Sequence, residues 1–286
     1  MNVSLNKDEG QPVSGERMSY VVKGEDLQFV EVTLQPGAQV IGEQGAMMYV
    51  DADVVIDTVL GDGAASSFGL IGRFFKAVKR SFTGEALFSS RYTAKGSRPQ
   101  RVAFAAPGPG RILPVHLGRM GGELICQKGA YLAAEQGVEV NLAWQKRLRV
   151  GFFGGEGFIM QRLNGQGVAF VHASGTLTEL DLEPGQALRV DTGCLVALTP
   201  SVRYDIKYAG KVKTALFGGE GLFHATLTGP GKVWLQSMPM TRLSGALFGS
   251  AVGGRSGGIT GKLYLGFIIF IVILSLVAGG GGEAQP

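Results

Sequence analysis

Three glutamates in glycine-rich surroundings form the chemical pattern that stands out first in this chain. They occur in Thr83-Gly84-Glu85, Gly155-Glu156-Gly157 and Gly219-Glu220-Gly221. If the fold brought these three carboxylates to a common axis, they would offer the oxygen ligands that a hard cation prefers. The simpler interpretation is that each glutamate accepts backbone N–H bonds within its own turn or faces solvent. We favour the simpler interpretation and predict no metal site and no cofactor.

Other residue types that carry chemistry are too dispersed to form a site. His116, His172 and His224 stand at unequal positions relative to the glycine-rich turns, which argues against a threefold imidazole site. Cys126 and Cys194 are far apart in the sequence, without the close spacing of zinc or redox motifs. A nucleophile elbow of the Gly-x-Ser-x-Gly kind is also absent. We therefore predict no catalytic residue and expect that the chain is not an enzyme.

The glutamates belong to a phrase of three elements that recurs three times, which is typical of repeat architecture. The first element is a turn with glycine and a small residue, the second is the glutamate elbow, and the third is another glycine-rich turn. The first is Gly45-Ala46, Gly129-Ala130 and Gly193-Cys194, and the third is Gly108-Pro109-Gly110, Gly165-Gln166-Gly167 and Gly229-Pro230-Gly231. The second and third copies keep one constant offset across all three elements.

Composition and pattern favour strands over helices. The chain has 286 residues, and its 46 glycines separate apolar runs, as hairpin turns do. The net charge of +4 is too small to imply nucleic acid by itself. We predict an all-β fold of three related β repeats around a pseudo-threefold axis, plus one C-terminal transmembrane helix. The predicted parts are a disordered arm (1–19), a β domain (20–243) with repeats of about 20–117, 118–182 and 183–243, a glycine-rich linker (244–262) and a tail anchor (263–282).

The predicted transmembrane helix depends on one apolar segment. Residues 263–278 carry no charge, and the uncharged stretch reaches Gly282. A membrane span needs roughly 17 to 25 residues, so the four glycines at 279–282 must be counted to reach that length. A buried core helix is the alternative. Arg255 and Lys262 precede the segment and only Glu283 follows it, which predicts a single-pass membrane protein whose β domain faces the cytoplasm.

An insertion at residues 68–82 has the pattern of a short basic amphipathic helix. Its apolar residues follow helical spacing, and cations occupy the other side. Such a helix can lie on lipid, with phenylalanines inserted and cations near the head groups. The lipid-contact candidates are Arg73, Phe74, Phe75, Lys76, Lys79, Arg80 and Phe82. The alternatives are a helix that packs across one end of the β domain, or a mobile flap.

Several of these phrases resemble a known family. They are Thr83-Gly84-Glu85-Ala86-Leu87-Phe88, Gly154-Gly155-Glu156-Gly157-Phe158, residues 190–197, residues 217–222, Gly229-Pro230-Gly231 and Trp234-Leu235-Gln236-Ser237. In this order they resemble the bacterial members of the altered-inheritance-of-mitochondria family number twenty-four, over roughly residues 20–243. The resemblance implies a fold similar to that of the tryptophan RNA-binding attenuation protein. It implies no catalytic residue.

The fold analogy raises one rival function, binding of RNA or another single strand. Such proteins combine cations with aromatic stacking platforms. The candidates are short, namely residues 144–149 and Arg203-Tyr204 with Lys207-Tyr208. For residues 144–149 we prefer the interpretation of a solvated basic strand edge, which also blocks edge pairing. We therefore expect a non-enzymatic, membrane-anchored β scaffold or interaction module. Its expected partners are membrane lipid, membrane proteins and other copies of itself, and not nucleic acid.

Overall fold

The computed structural model describes residues 13–14, 17–60, 88–146, 158–208 and 223–239. These residues fall within one compact unit, Met1–Thr241. They form β-strands and three short 3-10 turns, without an α-helix among them. The all-β prediction is therefore confirmed for the described part of the chain.

Eighteen of the strands form three sets of six, which we call the first, second and third repeat. The first is β3 (Phe29–Leu34), β4 (Gln39–Glu43), β5 (Met47–Val50), β6 (Val54–Leu60), β7 (Phe88–Ala94) and β8 (Gln100–Ala105). The second is β9 (Gly110–His116), β10 (Glu123–Gln127), β11 (Tyr131–Glu135), β12 (Glu139–Lys146), β13 (Phe158–Asn164) and β14 (Val168–Ser174). The third is β15 (Leu177–Leu182), β16 (Ala187–Asp191), β17 (Leu195–Leu198), β18 (Arg203–Tyr208), β19 (Phe223–Thr228) and β20 (Gly231–Gln236). Two further strands, β1 (Val13–Ser14) and β2 (Met18–Lys23), precede them.

The same four antiparallel pairings occur in every repeat. The first strand pairs with the sixth, the second with the fifth, the third with the sixth and the fourth with the fifth. The repeats begin at β3, β9 and β15, so they start one strand earlier than the boundaries predicted near residues 117 and 182. The constant offset between the second and third copies reappears in the strands, since the step from Glu123 at the start of β10 to Ala187 at the start of β16 equals that from Gly129 to Gly193.

Strand positions also show which glycine turns correspond. The turns at Gly45, Gly129 and Gly193 each join the second and third strands of a repeat. The turns at 165–167 and 229–231 lie between the fifth and sixth strands, but Gly108-Pro109-Gly110 leads from β8 into the next repeat. The prediction that equated these three turns was wrong for the first copy. Its counterpart there is Arg98-Pro99-Gln100. Glycine and proline suit any tight turn, so composition alone did not separate the two sites.

Adjacent repeats share sheets. Sheet B has the order β6-β7-β4-β11-β14-β9, and sheet C the order β12-β13-β10-β17-β20-β15. Each of these sheets combines three strands of one repeat with three of the next. They are joined where the second strand of one repeat pairs with the third strand of the following repeat, β4 with β11 and β10 with β17. We call these two pairings the closed junctions.

The remaining strands form two separate sheets. Sheet A has the order β1-β2-β3-β8-β5, and sheet D the order β16-β19-β18. The pairing that would join them by the rule of the closed junctions is β16 with β5. It is not among the pairings of the described strands. We call this pair of strands the open junction.

Three apolar clusters lie between the sheets. One contains residues of sheets A and B, the second residues of B and C, and the third residues of C and D. Sheets B and C therefore contribute to two clusters each, which is why every residue of β14 is buried. Sheets A and D contribute to one cluster each. Strands β2 and β3 accordingly show the alternation of buried and partly exposed residues that a half-covered sheet requires.

The predicted disordered arm at residues 1–19 needs a correction. Val13 pairs with Tyr20 and Ser14 with Ser19, and β2 begins at Met18. The strand forms because Met18, Tyr20 and Val22 fall on one face and are buried beside β3. Residues 1–12 and 15–16 lie outside the described part.

The structure also corrects the predicted C-terminal transmembrane helix. Within the described ranges, no helix is long and apolar enough to cross a membrane. The predictions of a tail anchor and of a single-pass membrane location are therefore not supported, and we withdraw them. Residues 263–282 reach the length of a membrane span only if the four glycines at 279–282 are counted, and glycine is a poor helix former. That segment, the linker at 244–262 and the insertion at 68–82 lie outside the described residues.

Candidate interaction surface at the open junction

A β-bulge recurs in the third strand of each repeat. The pairing register shifts between Met47 and Tyr49 in β5, between Tyr131 and Ala133 in β11, and between Leu195 and Ala197 in β17. A bulge inserts one unpaired residue and turns the strand locally. The residues inserted at this point are Met48, Leu132 and Val196.

The three bulge residues differ sharply in exposure. Leu132 is 2 % exposed and Val196 is 1 % exposed, whereas Met48 is 55 % exposed. Their neighbours follow the same pattern, since Tyr131 and Leu195 are buried and Met47 is 39 % exposed. The surface around the bulge is therefore buried in the second and third repeats and exposed in the first.

The strand pairing also differs at this position. β11 lies between β14 and β4, and β17 lies between β20 and β10. β5 pairs with β8 alone and stands at the edge of sheet A. An edge strand presents backbone N–H and C=O groups that can pair with another strand. β5 therefore combines an open backbone edge with two exposed methionines.

The opposite side of the open junction is β16, whose side chains also differ from their counterparts. Arg189 occupies the position of Ile41 in β4 and Ile125 in β10. Ile125 is buried, whereas Arg189 is exposed. Arg189 forms no ion pair among the described residues. An arginine at this point keeps its charge in solvent while its alkyl stem can cover apolar neighbours.

A cavity of about 550 Å³ adjoins β5, between the glycine turns of the first and second repeats. Its apolar lining includes Met47, Met48, Tyr131, Leu132 and Ile159. Glu43 and Lys128 add opposite charges. Burial, together with the Glu43 carboxylate, raises the pKa of the Tyr131 phenol and of the Cys126 thiol. Both groups stay protonated near neutral pH, so Cys126 lacks the thiolate that a nucleophile needs.

Polar contacts hold β5 in place from the outer side of sheet A. The Tyr49 hydroxyl donates a hydrogen bond to Glu31, which also accepts from Lys23 at 2.8 Å. Asp51, next to the end of β5, accepts from the Arg101 backbone N–H at 2.8 Å and from its guanidinium at 3.2 Å. The hydrogen bonds from Lys23 and Tyr49 lower the pKa of the Glu31 carboxyl. Burial and the Glu31 carboxylate raise the pKa of Tyr49 to about 12. Side-chain hydrogen bonds therefore hold the edge strand β5 in place.

Two buried polar side chains of the second repeat have atoms without a hydrogen-bond partner. Gln161 is fully buried opposite Cys126, and neither atom of its amide has a hydrogen-bond partner. The Nε2 atom of buried His172 also lacks one. Burial lowers the pKa of His172 to about 4, against a hydrogen bond to the Gly108 backbone that raises it. The imidazole is therefore neutral at physiological pH.

Most residues singled out from the sequence fall outside the described ranges. Glu85, Glu156 and Glu220 all belong to the connections between the fourth and fifth strands, at 61–87, 147–157 and 209–222. The lipid-contact candidates Arg73, Phe74, Phe75, Lys76, Lys79, Arg80 and Phe82 belong to the first of these. The interpretation that each glutamate stays in its own turn remains a prediction. The lipid contact of the insertion also remains a prediction. Over the described part of the chain, no group of three His, Cys, Asp or Glu side chains could hold a metal ion.

The proposed cationic and aromatic track is partly described. Residues 144–146 end β12, and 147–149 lie outside the described part. In β18, Arg203 and Lys207 are exposed, and Lys207 forms an ion pair with Asp205 at 3.1 Å. Tyr204 is half-buried, and burial raises its pKa. The described part of β18 therefore offers alternating charges beside a partly covered ring.

Comparisons with known proteins place the chain among relatives. A family model described as Mitochondrial biogenesis AIM24 matches residues 20–238. An uncharacterised protein of Streptococcus pyogenes serotype M6 is 27 % identical over 234 residues, which are 81 % of this chain and 90 % of that protein. A crystal structure of a Streptococcus pyogenes protein shares the fold, with a TM-score of 0.64 and 24 % identity over 81 % of this chain and 98 % of its own. The family match covers most of the chain, so this protein belongs to the Mitochondrial biogenesis AIM24 family.

Proposed function

We propose that this chain is a non-enzymatic β interaction module that binds an extended segment of a protein partner along the open edge of β5. One observation carries the proposal: Met47 and Met48 are exposed on an edge strand, while the residues at the same positions of the second and third repeats are buried in strands that are paired on both sides. The membrane anchor expected from the sequence is not part of this proposal.

The physical basis is strand addition. A segment that pairs with a sheet edge gains backbone hydrogen bonds, and pockets beside the edge select its side chains. Methionine side chains are flexible and polarizable, so they adapt to different apolar partners. The contacts of Tyr49 and Asp51 hold the strand before binding, which reduces the entropy cost of association.

The experiment compares capture by the full chain and by two double variants. Met47→Glu with Met48→Glu places charge on the proposed surface. Val55→Glu with Ile56→Glu is the matched control, because these β6 residues are also exposed and apolar. Proteins captured from the source cells are quantified by mass spectrometry. The proposal requires a partner that the control retains and the β5 variant loses.

Hydrogen exchange then locates the contact. With the captured partner purified, the amides of residues 47–50 should gain protection on binding. Equal capture by both variants, or protection confined to another strand, would contradict the proposal.

One finer expectation, the likeness in fold, stays an inference. The family resemblance implies a fold like that of the tryptophan RNA-binding attenuation protein, and with it a rival function in binding RNA. Fold analogy does not establish the ligand. The pairing of Lys207 with Asp205 weakens the cationic track in the described part of β18, so we do not put RNA binding forward as a second candidate function.

A further inference from the structure

We propose that the segment bound at the open junction is strand β16 of a second copy of this chain. This inference rests on the proposed function and names the partner at that site. The pairing would be antiparallel and would join the third repeat of one copy to the first repeat of another.

The closed junctions define the rule that such a contact would follow. In the first, Ile41 lies opposite Ala134 and Gly42 opposite Ala133. In the second, Ile125 lies opposite Leu198 and Cys126 opposite Ala197. The two registers coincide when the repeats are superposed by strand position. A second strand and a third strand of this fold therefore recognise each other in one fixed register.

The same register can be written for the open junction. Tyr49 and Val50 occupy the positions of Ala133 and Ala134, and Arg189 and Val190 occupy those of Ile125 and Cys126. The rule therefore places Val50 opposite Arg189 and Tyr49 opposite Val190. The pairing would bring the Arg189 stem to the side of the sheet on which Val50 packs against the first cluster.

A second copy supplies what each unfinished sheet lacks. Sheets B and C each combine the second, fourth and fifth strands of one repeat with the first, third and sixth strands of the next. Sheet D holds only the second, fourth and fifth strands of the third repeat. Sheet A holds the first, third and sixth strands of the first repeat, next to β1 and β2. Joining sheet D of one copy to sheet A of another rebuilds the six-strand arrangement. Strand β16 of a second copy offers an edge already matched to β5 in strand type and register.

The charges at the open junction suit a contact that forms between separate copies. An isoleucine at position 189, as in the other repeats, would favour permanent burial. Arg189 lowers the apolar area of β16. Its charged end lies at the edge of the proposed contact, where it can remain hydrated after the strands pair. Charged residues on strand edges also limit indiscriminate pairing. Met47 and Met48 on β5 provide the apolar side of the contact.

The test mixes two single-cysteine variants of the full chain. Val50→Cys and Arg189→Cys are each made in a Cys194→Ser background, and Cys126 stays because it is buried. Equal amounts are mixed and treated with a short thiol-specific cross-linker, then separated on a denaturing gel. We expect a cross-linked dimer in the mixture and at least tenfold less in either variant alone. The control mixture of Val55→Cys with Arg189→Cys should give no dimer, although Val55 is exposed too.

Two results would overturn this inference. One is the absence of dimer in the first mixture while circular dichroism shows both variants folded. The other is a cross-link within a single chain when both substitutions are combined, since β5 and β16 would then pair in the same copy. Neither result decides the proposed function. If capture of another protein still depends on Met47 and Met48, the interaction module stands and only the identity of its partner is wrong.

Discussion

Met48 and Leu132 occupy the same bulge position in successive repeats, yet only Leu132 is buried, in the apolar cluster between sheets A and B. The strand that carries Leu132 has a neighbour on both sides, whereas β5 is an edge strand. Both residues are apolar and of similar size, and both stand after a glycine turn. Their difference in exposure therefore comes from what packs against each strand and not from the local sequence.

Truncating these two residues should give unequal losses of stability. Leu132→Ala removes buried methyl groups and leaves a cavity, so we expect it to lower the free energy of unfolding by about 2–5 kcal/mol. Met48→Ala should cost less than about 0.5 kcal/mol, because the side chain is exposed and away from caps and buried pairs. Urea denaturation of both variants measures the difference. Equal losses would show that Met48 is covered in solution.

Gly110→Ala should destabilise the fold at the start of the second repeat. Gly110 has a φ of 155°, and a Cβ atom there would lie 1.9 Å from the backbone oxygen of Ala173. Because β9 and β14 would have to separate, we expect a loss on the order of 2–4 kcal/mol. Gly129→Ala is the control, since a Cβ at Gly129 would meet no atom within 4 Å. Thermal unfolding should leave the control near the wild-type midpoint.

His172 should make the stability of the chain sensitive to mild acid. Its pKa falls from 6.5 to about 4 because it is buried. Between these values the unfolded chain binds a proton that the folded chain does not, so stability falls as the pH is lowered through this window. His172→Gln removes the titration and introduces the residue type of Gln236, its counterpart in the third repeat. The variant should lose less stability than the wild type between pH 7 and pH 4.5, as measured by urea denaturation. Parallel pH curves would contradict the assignment.

Glu31 should contribute stability above pH 4.5 and lose that contribution in stronger acid. Hydrogen bonds from Lys23 and then Tyr49 lower its pKa below the usual value of 4.5. The unfolded chain therefore takes up a proton at a higher pH than the folded chain does, and stability falls as the pH drops through the folded pKa. Glu31→Gln should be less stable than the wild type at pH 7, and the gap should narrow below pH 4.5. A gap that is constant with pH would show that the carboxylate charge is not responsible.

The sequence predicted those parts of the fold that depend on local pattern. Apolar runs between glycine turns predicted a chain of strands, and the runs at 29–34 and 110–116 form β3 and β9. The glycine turns at 45, 129 and 193 were matched correctly, because each precedes an apolar strand. The turn at 108–110 was matched wrongly, since Gly-Pro-Gly suits connections within and between repeats. Strand β2 was missed because it follows a polar segment and is stabilised by β3.

The open junction was beyond local pattern because strand pairing between repeats is a long-range property. One sequence feature did point to it. The constant offset between the second and third copies aligns Arg189 with Ile125, so a charge stands where the preceding repeat has an apolar residue. In a repeat protein, such a substitution at an inward position marks an interface that is absent or different. The exposure of Met47 and Met48, in contrast, required the strand order.

The connections between the fourth and fifth strands all leave the sheets at the same point of the repeat, yet they span residues 61–87, 147–157 and 209–222. Variation in length at this point leaves the pairing of β6 with β7, of β12 with β13 and of β18 with β19 unchanged. The fold thus provides a practical insertion point for a fluorescent label or a purification tag. The second connection is the shortest of the three. A sequence inserted there can be compared directly with the longer connections of the first and third repeats.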